Sequence, residues 1–278
     1  MLPWFRAGVN PFRPHIRRHT TCSNRAPMPQ PVTLVLGAVP WEIKPVIAAL
    51  AGRRPGRLGR FPYHAGRIGR QRVVTAITGV GKTNAAFIAT LFIARFKPAR
   101  LIYTGSAARL NPELRTGDII VGRRTFHHDA GSWQAHGMLY RKVIGPVAGH
   151  PTHFRYDADR GLLRAALAAA GTHEPRIVTA NGSTYRPAIR AGLICSGDVF
   201  GMPAAKIADI RAKLKCDLVE MEGSAIGQVC HELRVPHLVI RAGSNRAQPD
   251  PGGDYQALGQ IAARQAAFFA LHLVRSLR

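Results

Sequence analysis

The residues with the most chemical promise lie in the heptapeptide Val219-Glu220-Met221-Glu222-Gly223-Ser224-Ala225. Alternation at its start predicts a buried strand, and the remainder predicts the opening of a helix. Glu222 then stands at a strand's carboxyl end, the edge along which an open α/β sheet binds its ligands. A carboxylate there offers two acceptor oxygens, which suits a vicinal diol such as the 2′,3′-hydroxyl pair of a ribose. The same residue also suits a helix N-terminus, where the helix dipole favours negative charge.

Other reactive-looking clusters fare worse. Gly81-Lys82-Thr83 suggests a phosphate-binding loop, but the full pattern requires a glycine at position 76, where Ala76 stands. His127-His128-Asp129 suggests a metal, yet adjacent strand residues point to opposite faces, and His150-Pro151-Thr152-His153 has no helical spacing. Neither a metal nor a cofactor is expected. Cys22, Cys195, Cys216 and Cys230 have no zinc-type or CxxC spacing and read as buried free thiols of a reducing cytoplasm.

These residues must be positioned by a succession of strands and helices. Strands are predicted at Val32 to Val39, Arg72 to Thr78, Leu101 to Thr104, Asp118 to Gly122, Gly192 to Ser196, Cys216 to Met221 and His237 to Ala242. Helices are predicted from Trp41 to about Ala51, Lys82 to Phe96, Arg160 to Ala170, Gly223 to Leu233 and about Tyr255 to Leu277. The segment between the fourth strand and the third helix reads as loop-rich. Strands alternating with helices, and apolar on both faces, predict an α/β fold: a three-layer α/β/α sandwich with a mostly parallel mixed central sheet. With 278 residues and 46% hydrophobic content, one large domain is expected over residues 32–278. No apolar run approaches the length of a membrane span.

Residues 1–31 read as a basic disordered extension: the first 27 contain five Arg, four Pro and no acid. A start codon assigned upstream of Met28 would account for it. The tail arginines supply five of the formal +24 charge, so the folded part remains strongly basic. Such an excess favours nonspecific contact with polyanions, but the arginines are scattered, without the interleaved aromatics of nucleic-acid platforms.

Taken together, six segments resemble the 5′-methylthioadenosine/S-adenosylhomocysteine nucleosidases of the nucleoside phosphorylase superfamily. They are Gly37-Ala38-Val39-Pro40-Trp41-Glu42, Thr78-Gly79-Val80-Gly81-Lys82, Tyr103-Thr104-Gly105-Ser106-Ala107, Ser196-Gly197-Asp198-Val199-Phe200, Val219-Glu220-Met221-Glu222 and Ile240-Arg241-Ala242-Gly243-Ser244. The resemblance covers about residues 32 to 276. It implies that Glu42 is the general base aiming water at the anomeric carbon, and that Glu222 takes the ribose diol with Met221 packed under the sugar. It implies further that Phe200 stacks on the purine, that Val80 and Tyr255 line the pocket for the 5′ substituent, and that Ser106 and Ser244 belong to the binding set. A homodimer is implied as well, with a neighbouring subunit closing the 5′ pocket.

One departure bears on the reaction. The nucleosidases place an Asp after the serine of the Ala-x-Ser motif to neutralise the departing purine at N7; here that position is Asn245. An amide cannot transfer a proton, though it can donate and accept hydrogen bonds. That pairing suits a 6-oxopurine, as in some phosphorylases and futalosine-type hydrolases, unless Asp198 or Asp250 supplies the acid for an adenine nucleoside. A second departure is Ala108-Arg109 where the family has Gly-Gly; Arg109 reads either as a binder of phosphate or carboxylate or as an exposed loop residue. Retention of Glu42 favours hydrolysis over phosphorolysis, with methylthioadenosine or adenosylhomocysteine the leading substrates. A 6-oxopurine phosphorylase or futalosine-type hydrolase is the alternative, and a catalytically silent nucleoside-binding protein the reading of another class.

Overall fold

In the computed structural model the described residues are 31–147, 149–180, 182–247 and 252–278, with backbone alone at 151 and 252–255. The expected N-terminal extension up to residue 30 lies outside them. Along the chain come β1 (Val32–Gly37), α1 (Pro40–Ala48), β2 (Ala51–Leu58), β3 (Phe61–Ile68), β4 (Gln71–Ile77), α2 (Lys82–Phe96), β5 (Arg100–Arg109) and β6 (Ile119–His127). Small hairpin strands follow: β7 (Gly131–Gln134), β8 (Gly137–Tyr140), β9 (Val143–Val147), β10 (His150–Thr152) and β11 (Arg155–Asp157). The remainder is α3 (Arg160–Ala170), β12 (Val178–Ala180), β13 (Ser183–Tyr185), β14 (Ile189–Ser196), α4 (Ala204–Leu214), β15 (Leu218–Glu220), α5 (Gly223–Glu232), β16 (His237–Arg246) and α6 (Gly252–Ser276).

Ten strands make one mixed sheet in the order β11-β6-β14-β15-β5-β1-β4-β3-β2, with β16 paired to both β5 and β6. The parallel pairs expected from the buried apolar runs are present: β1 with β4 and β5, β16 with β5, and β14 with β6 and β15. Antiparallel contacts of β16 with β6 and of β15 with β5 join the two parallel groups, so five strands close into a ring. The open edge is the antiparallel ribbon β2–β3.

Helices cover both faces. One core packs Val46 of α1, Leu162 and Ala166 of α3 and Ala266, Phe269 and Leu273 of α6 against strand residues such as Val35, Ile102 and Ile240. The other packs Ala85, Ile88 and Phe92 of α2 and Ile226 and Cys230 of α5 against Leu34, Leu101 and Val239. The three layers expected from the sequence are held by these two cores, and a third, smaller cluster seats Ile210 and Leu214 of α4 beside Cys195 and Cys216. Cys195, Cys216 and Cys230 are free and buried, and among the described residues no helix is long and apolar enough to cross a membrane.

Register sets the site. Arg241 on β16 lies opposite Gly105 on β5, and Glu220 on β15 lies opposite Ser196 on β14. β5 was expected to end at Gly105-Ser106; it continues to Arg109 because residues 107–109 pair with β16 and β15, and Gly105 within it is where the backbone must leave room. A Cβ at 105 would collide with the Arg241 guanidinium and the Glu42 carboxylate.

Candidate active site

Glu42 sits in the first turn of α1 and is buried. Its Oε2 accepts from the amides of Ala38 (2.7 Å) and Val39 (3.4 Å) at its own helix terminus, while Oε1 accepts from the Ser106 amide (2.9 Å) and hydroxyl (3.3 Å). The side chain is thereby tied to the carboxyl ends of both β1 and β5.

Beneath it lies a charge cluster centred on a fully buried arginine. Arg241 Nη1 donates to Glu42 Oε1 at 3.4 Å, and Nη2 donates to Glu222 Oε2 at 2.8 Å and to Glu220 Oε2. The guanidinium also lies over the Tyr103 ring, 4.7 Å from its centroid. An arginine inside Leu238-Val239-Ile240-Arg241-Ala242 demands carboxylate partners, since a lone buried charge is prohibitively costly. Arg241 and Glu220 were given no role from sequence; the lone charges in two apolar strands were the signal that they meet.

Glu220 accepts from the Ser196 hydroxyl and from the amides of Glu222 (3.0 Å) and Gly223 (2.8 Å) at the start of α5. Glu222, the N-cap residue of α5, accepts through Oε1 from the Gly81 amide at 2.9 Å. Burial, with Glu220 and Glu42 alongside, pushes the Glu222 carboxyl up to about 8 against the pull of Arg241.

Above the cluster opens a cleft. Glu42, Ser106, Met221, Glu222, Asn245, Phe200 and Val80 all line it. Met202, Val219, Ala107 and Ala247 give it an apolar interior, while Val80 and Phe200 at its mouth are 47% and 55% exposed. Ser244 lies behind the wall: its hydroxyl is 3.0 Å from both the Ala107 carbonyl and Asn245 Oδ1. The side chain of Tyr255 and the whole of Asp250 lie outside the described residues.

Several sequence expectations are resolved by position. Asp198 does not line the cleft; its carboxylate accepts from the Lys82 amide at 2.7 Å. Arg109 turns away, donating to the Leu114 carbonyl at 2.8 Å with its stem against Gly243, so no guanidinium enters the cleft there. Ala108 does line the cleft. In the histidine pair, His127 bonds Ser224 (2.7 Å) and Gln228 (3.1 Å), and Asp129 pairs with Lys82.

This fold and this carboxylate-lined cleft define a nucleoside-handling α/β protein of the phosphorylase superfamily, whose family model matches residues 33–278. A 5′-methylthioadenosine/S-adenosylhomocysteine nucleosidase of Anoxybacillus flavithermus is 34% identical over 245 residues, covering 87% of this chain and 97% of that one. The crystal structure of the corresponding nucleosidase from Neisseria meningitidis, in complex with methylthio-immucillin-A, matches with a TM-score of 0.75 at 33% identity, covering 88% of this chain and 99% of that one. That of Colwellia psychrerythraea, in complex with adenine, gives 0.74 at 25% identity, covering 90% and 96%. The chain belongs to the 5′-methylthioadenosine/S-adenosylhomocysteine nucleosidase family, and is an N-glycosyl hydrolase.

Proposed function

We propose that the protein hydrolyses 5′-methylthioadenosine or S-adenosylhomocysteine to the free purine and the thio-sugar, with Glu42 as general base and Glu222 holding the ribose diol. The observation that supports this reading is the single guanidinium of Arg241 reaching both carboxylates, which brings Glu42 and Glu222 together on one cleft. Cleavage of an N-glycosidic bond develops positive charge on the ribose, and a cleft lined by Glu42, Glu220 and Glu222 favours that charge. Water held between Glu42 and Ser106 would lose a proton to Glu42 as it attacks the anomeric carbon. Met221 would lie beneath the sugar, Phe200 would stack on the purine, and Val80 with Tyr255 would bound the 5′ thioether.

Among the described lining residues there is no Lys or Arg. A phosphate dianion entering beside the Glu42 and Glu220 carboxylates would meet no cation on the described cleft wall, which supports hydrolysis over phosphorolysis.

Asn245 favours a second reading of the base. The Ser244 hydroxyl has one proton but stands 3.0 Å from two oxygens, one being the Ala107 carbonyl, which can only accept. Turning the Asn245 amide so that its NH₂ faces Ser244 satisfies both contacts and sends its carbonyl into the cleft. A carbonyl there accepts from N7–H of a 6-oxopurine, or from the exocyclic amine of adenine. The deciding experiment incubates the protein with methylthioadenosine and with inosine, each with and without phosphate, and quantifies free base. Adenine released without phosphate supports the first reading and hypoxanthine the second; release only with phosphate makes the enzyme a phosphorylase, and no base from either sinks both.

A homodimer is part of the proposal: Ile77 at the end of β4, Val80 in the turn after it and Phe87 on α2 expose apolar side chains, and Val80 also lines the cleft; light scattering checks the assembly. Three buried free thiols support a cytoplasmic setting, and the +24 charge supports weak, salt-sensitive polyanion binding.

A further inference from the structure

The start of α2 carries two carboxylates on consecutive amides. Gly81 donates to Glu222 Oε1 at 2.9 Å, and Lys82 donates to Asp198 Oδ1 at 2.7 Å. Glu222 arrives from the β15–α5 junction, whereas Asp198 arrives from the loop after β14. A helix N-terminus offers both side chains amides that lack a partner within the helix, but the second is held by more than the helix. Lys82 Nζ bonds Asp129 Oδ1 at 2.6 Å, and Asp129 Oδ2 accepts from the Asp198 amide at 3.1 Å. The contacts form a closed circuit: Asp198 side chain to Lys82 backbone, Lys82 side chain to Asp129, and Asp129 to Asp198 backbone.

We propose that Lys82, Asp129 and Asp198 act as a clasp that positions the Phe200 loop relative to Glu222, so that purine stacking and ribose binding are set by one shared anchor. None of the three lines the cleft; they are positioning residues. The inference rests on the reading of Phe200 and Glu222 as purine and ribose contacts.

Three observations support the clasp. The loop it holds contributes Val199, Phe200, Gly201 and Met202 to the cleft wall in direct succession after Asp198. Gly81 has φ +95°, and the place a Cβ would occupy is 3.1 Å from Asp198 Oδ1, so the turn can bring the two carboxylates this close only without a side chain there. The Lys82 hydrogen bond and charge hold the Asp129 carboxyl below its ordinary value although burial opposes them. Because Glu222 and Asp198 bond neighbouring amides, displacing the loop displaces Gly81 and alters the diol acceptor.

The test compares the full-length protein with Lys82→Met and Lys82→Arg. In the unliganded protein, hydrogen exchange of amides 197–202 should rise about tenfold or more in Lys82→Met, as expected for a locally opened segment, while the thermal midpoint stays near that of the parent. KM for the nucleoside should rise about tenfold with kcat within about threefold, the pattern of lost ground-state positioning; Lys82→Arg should restore both. Combined with Phe200→Ala, the effect of Lys82→Met on KM should shrink, because the two act on one contact. Unchanged exchange in the loop, or a KM effect fully additive with Phe200→Ala, overturns the clasp. Should Lys82→Met fail to fold, Asp129→Asn removes the same contact and is read identically. A parent enzyme that releases no purine overturns the assignment of Phe200 and Glu222, whereas the clasp itself is then decided by the exchange measurement alone.

Discussion

Arg241 Nη2 lies 2.8 Å from Glu222 Oε2 with both side chains buried, so the residue assigned to the ribose diol is also part of the structural charge cluster. Removing the arginine would leave Glu42, Glu220 and Glu222 crowded together without a counter-charge. Arg241→Met is expected to lose about 3–5 kcal/mol of stability, the cost typical of breaking a buried pair from one side. Arg241→Lys should recover only part, since one ammonium cannot fork to separated carboxylates. Urea unfolding of the three proteins checks both.

Glu42→Gln separates chemistry from binding. The amide retains shape but cannot take a proton from water, so kcat should fall on the order of 10²–10⁴ while nucleoside affinity stays near that of the parent. Glu42 receives only donors, from Ala38, Val39, Ser106 and Arg241. Its NH₂ must therefore face one of them, at about 1–3 kcal/mol of stability. Single-turnover kinetics and calorimetric binding of a substrate analogue together test this.

That Glu42, Glu222 and Phe200 share one cleft was legible because each sits in a short motif at the end of a strand. The charge cluster was harder to read, since Arg241, Glu220 and Glu42 are far apart in sequence and meet only because β16, β15 and β1 all pair with β5. The ribbon β2–β3 escaped notice for another reason: Arg53, Arg54, Pro55 and Gly56 on an exposed edge strand give no alternation of apolar and polar residues. Helix α4 was missed similarly, with Ile210 and Leu214 alone buried along it. Only tertiary pairing, not local pattern, specifies such elements.

Glu222 links pH to stability. Its folded value of about 8 lies above the ordinary 4.5, so the native state holds a proton that the unfolded state has released. The stabilisation is complete below about 4.5 and is lost as pH rises towards about 8. Thermal midpoints of the unliganded protein should therefore decline across that window, and Glu222→Gln should flatten the decline. An equal slope in the variant would assign the effect elsewhere.

Phe200 presents a ring at the mouth of the cleft, 55% exposed. Stacking of a base on an aromatic side chain is worth about 1–3 kcal/mol. Phe200→Ala should raise KM by roughly tenfold or more with little change in kcat, and Phe200→Tyr should leave both near the parent values. Steady-state kinetics on the preferred nucleoside decides it.

Asn245→Asp tests the purine end directly. Asn245 is buried and its partner Ser244 is anchored to the Ala107 carbonyl, so a carboxyl group of nearly the same shape can occupy the position. Protonated, it can deliver a proton to N7 of a departing adenine; ionised, it repels the carbonyl oxygen of a 6-oxopurine. If the natural substrate carries adenine, the exchange should raise the cleavage rate, by up to on the order of 10²–10⁴ if general-acid assistance is fully restored. If it carries a 6-oxopurine, activity should fall instead, because an ionised carboxylate in place of the neutral amide repels the purine's carbonyl oxygen. Comparing parent and Asn245→Asp on methylthioadenosine and inosine, from pH 5 to 9, reads out the sign. A rate that falls with rising pH as the new carboxyl ionises, in the variant's adenine profile alone, would identify Asn245 as the position that governs protonation of the leaving base.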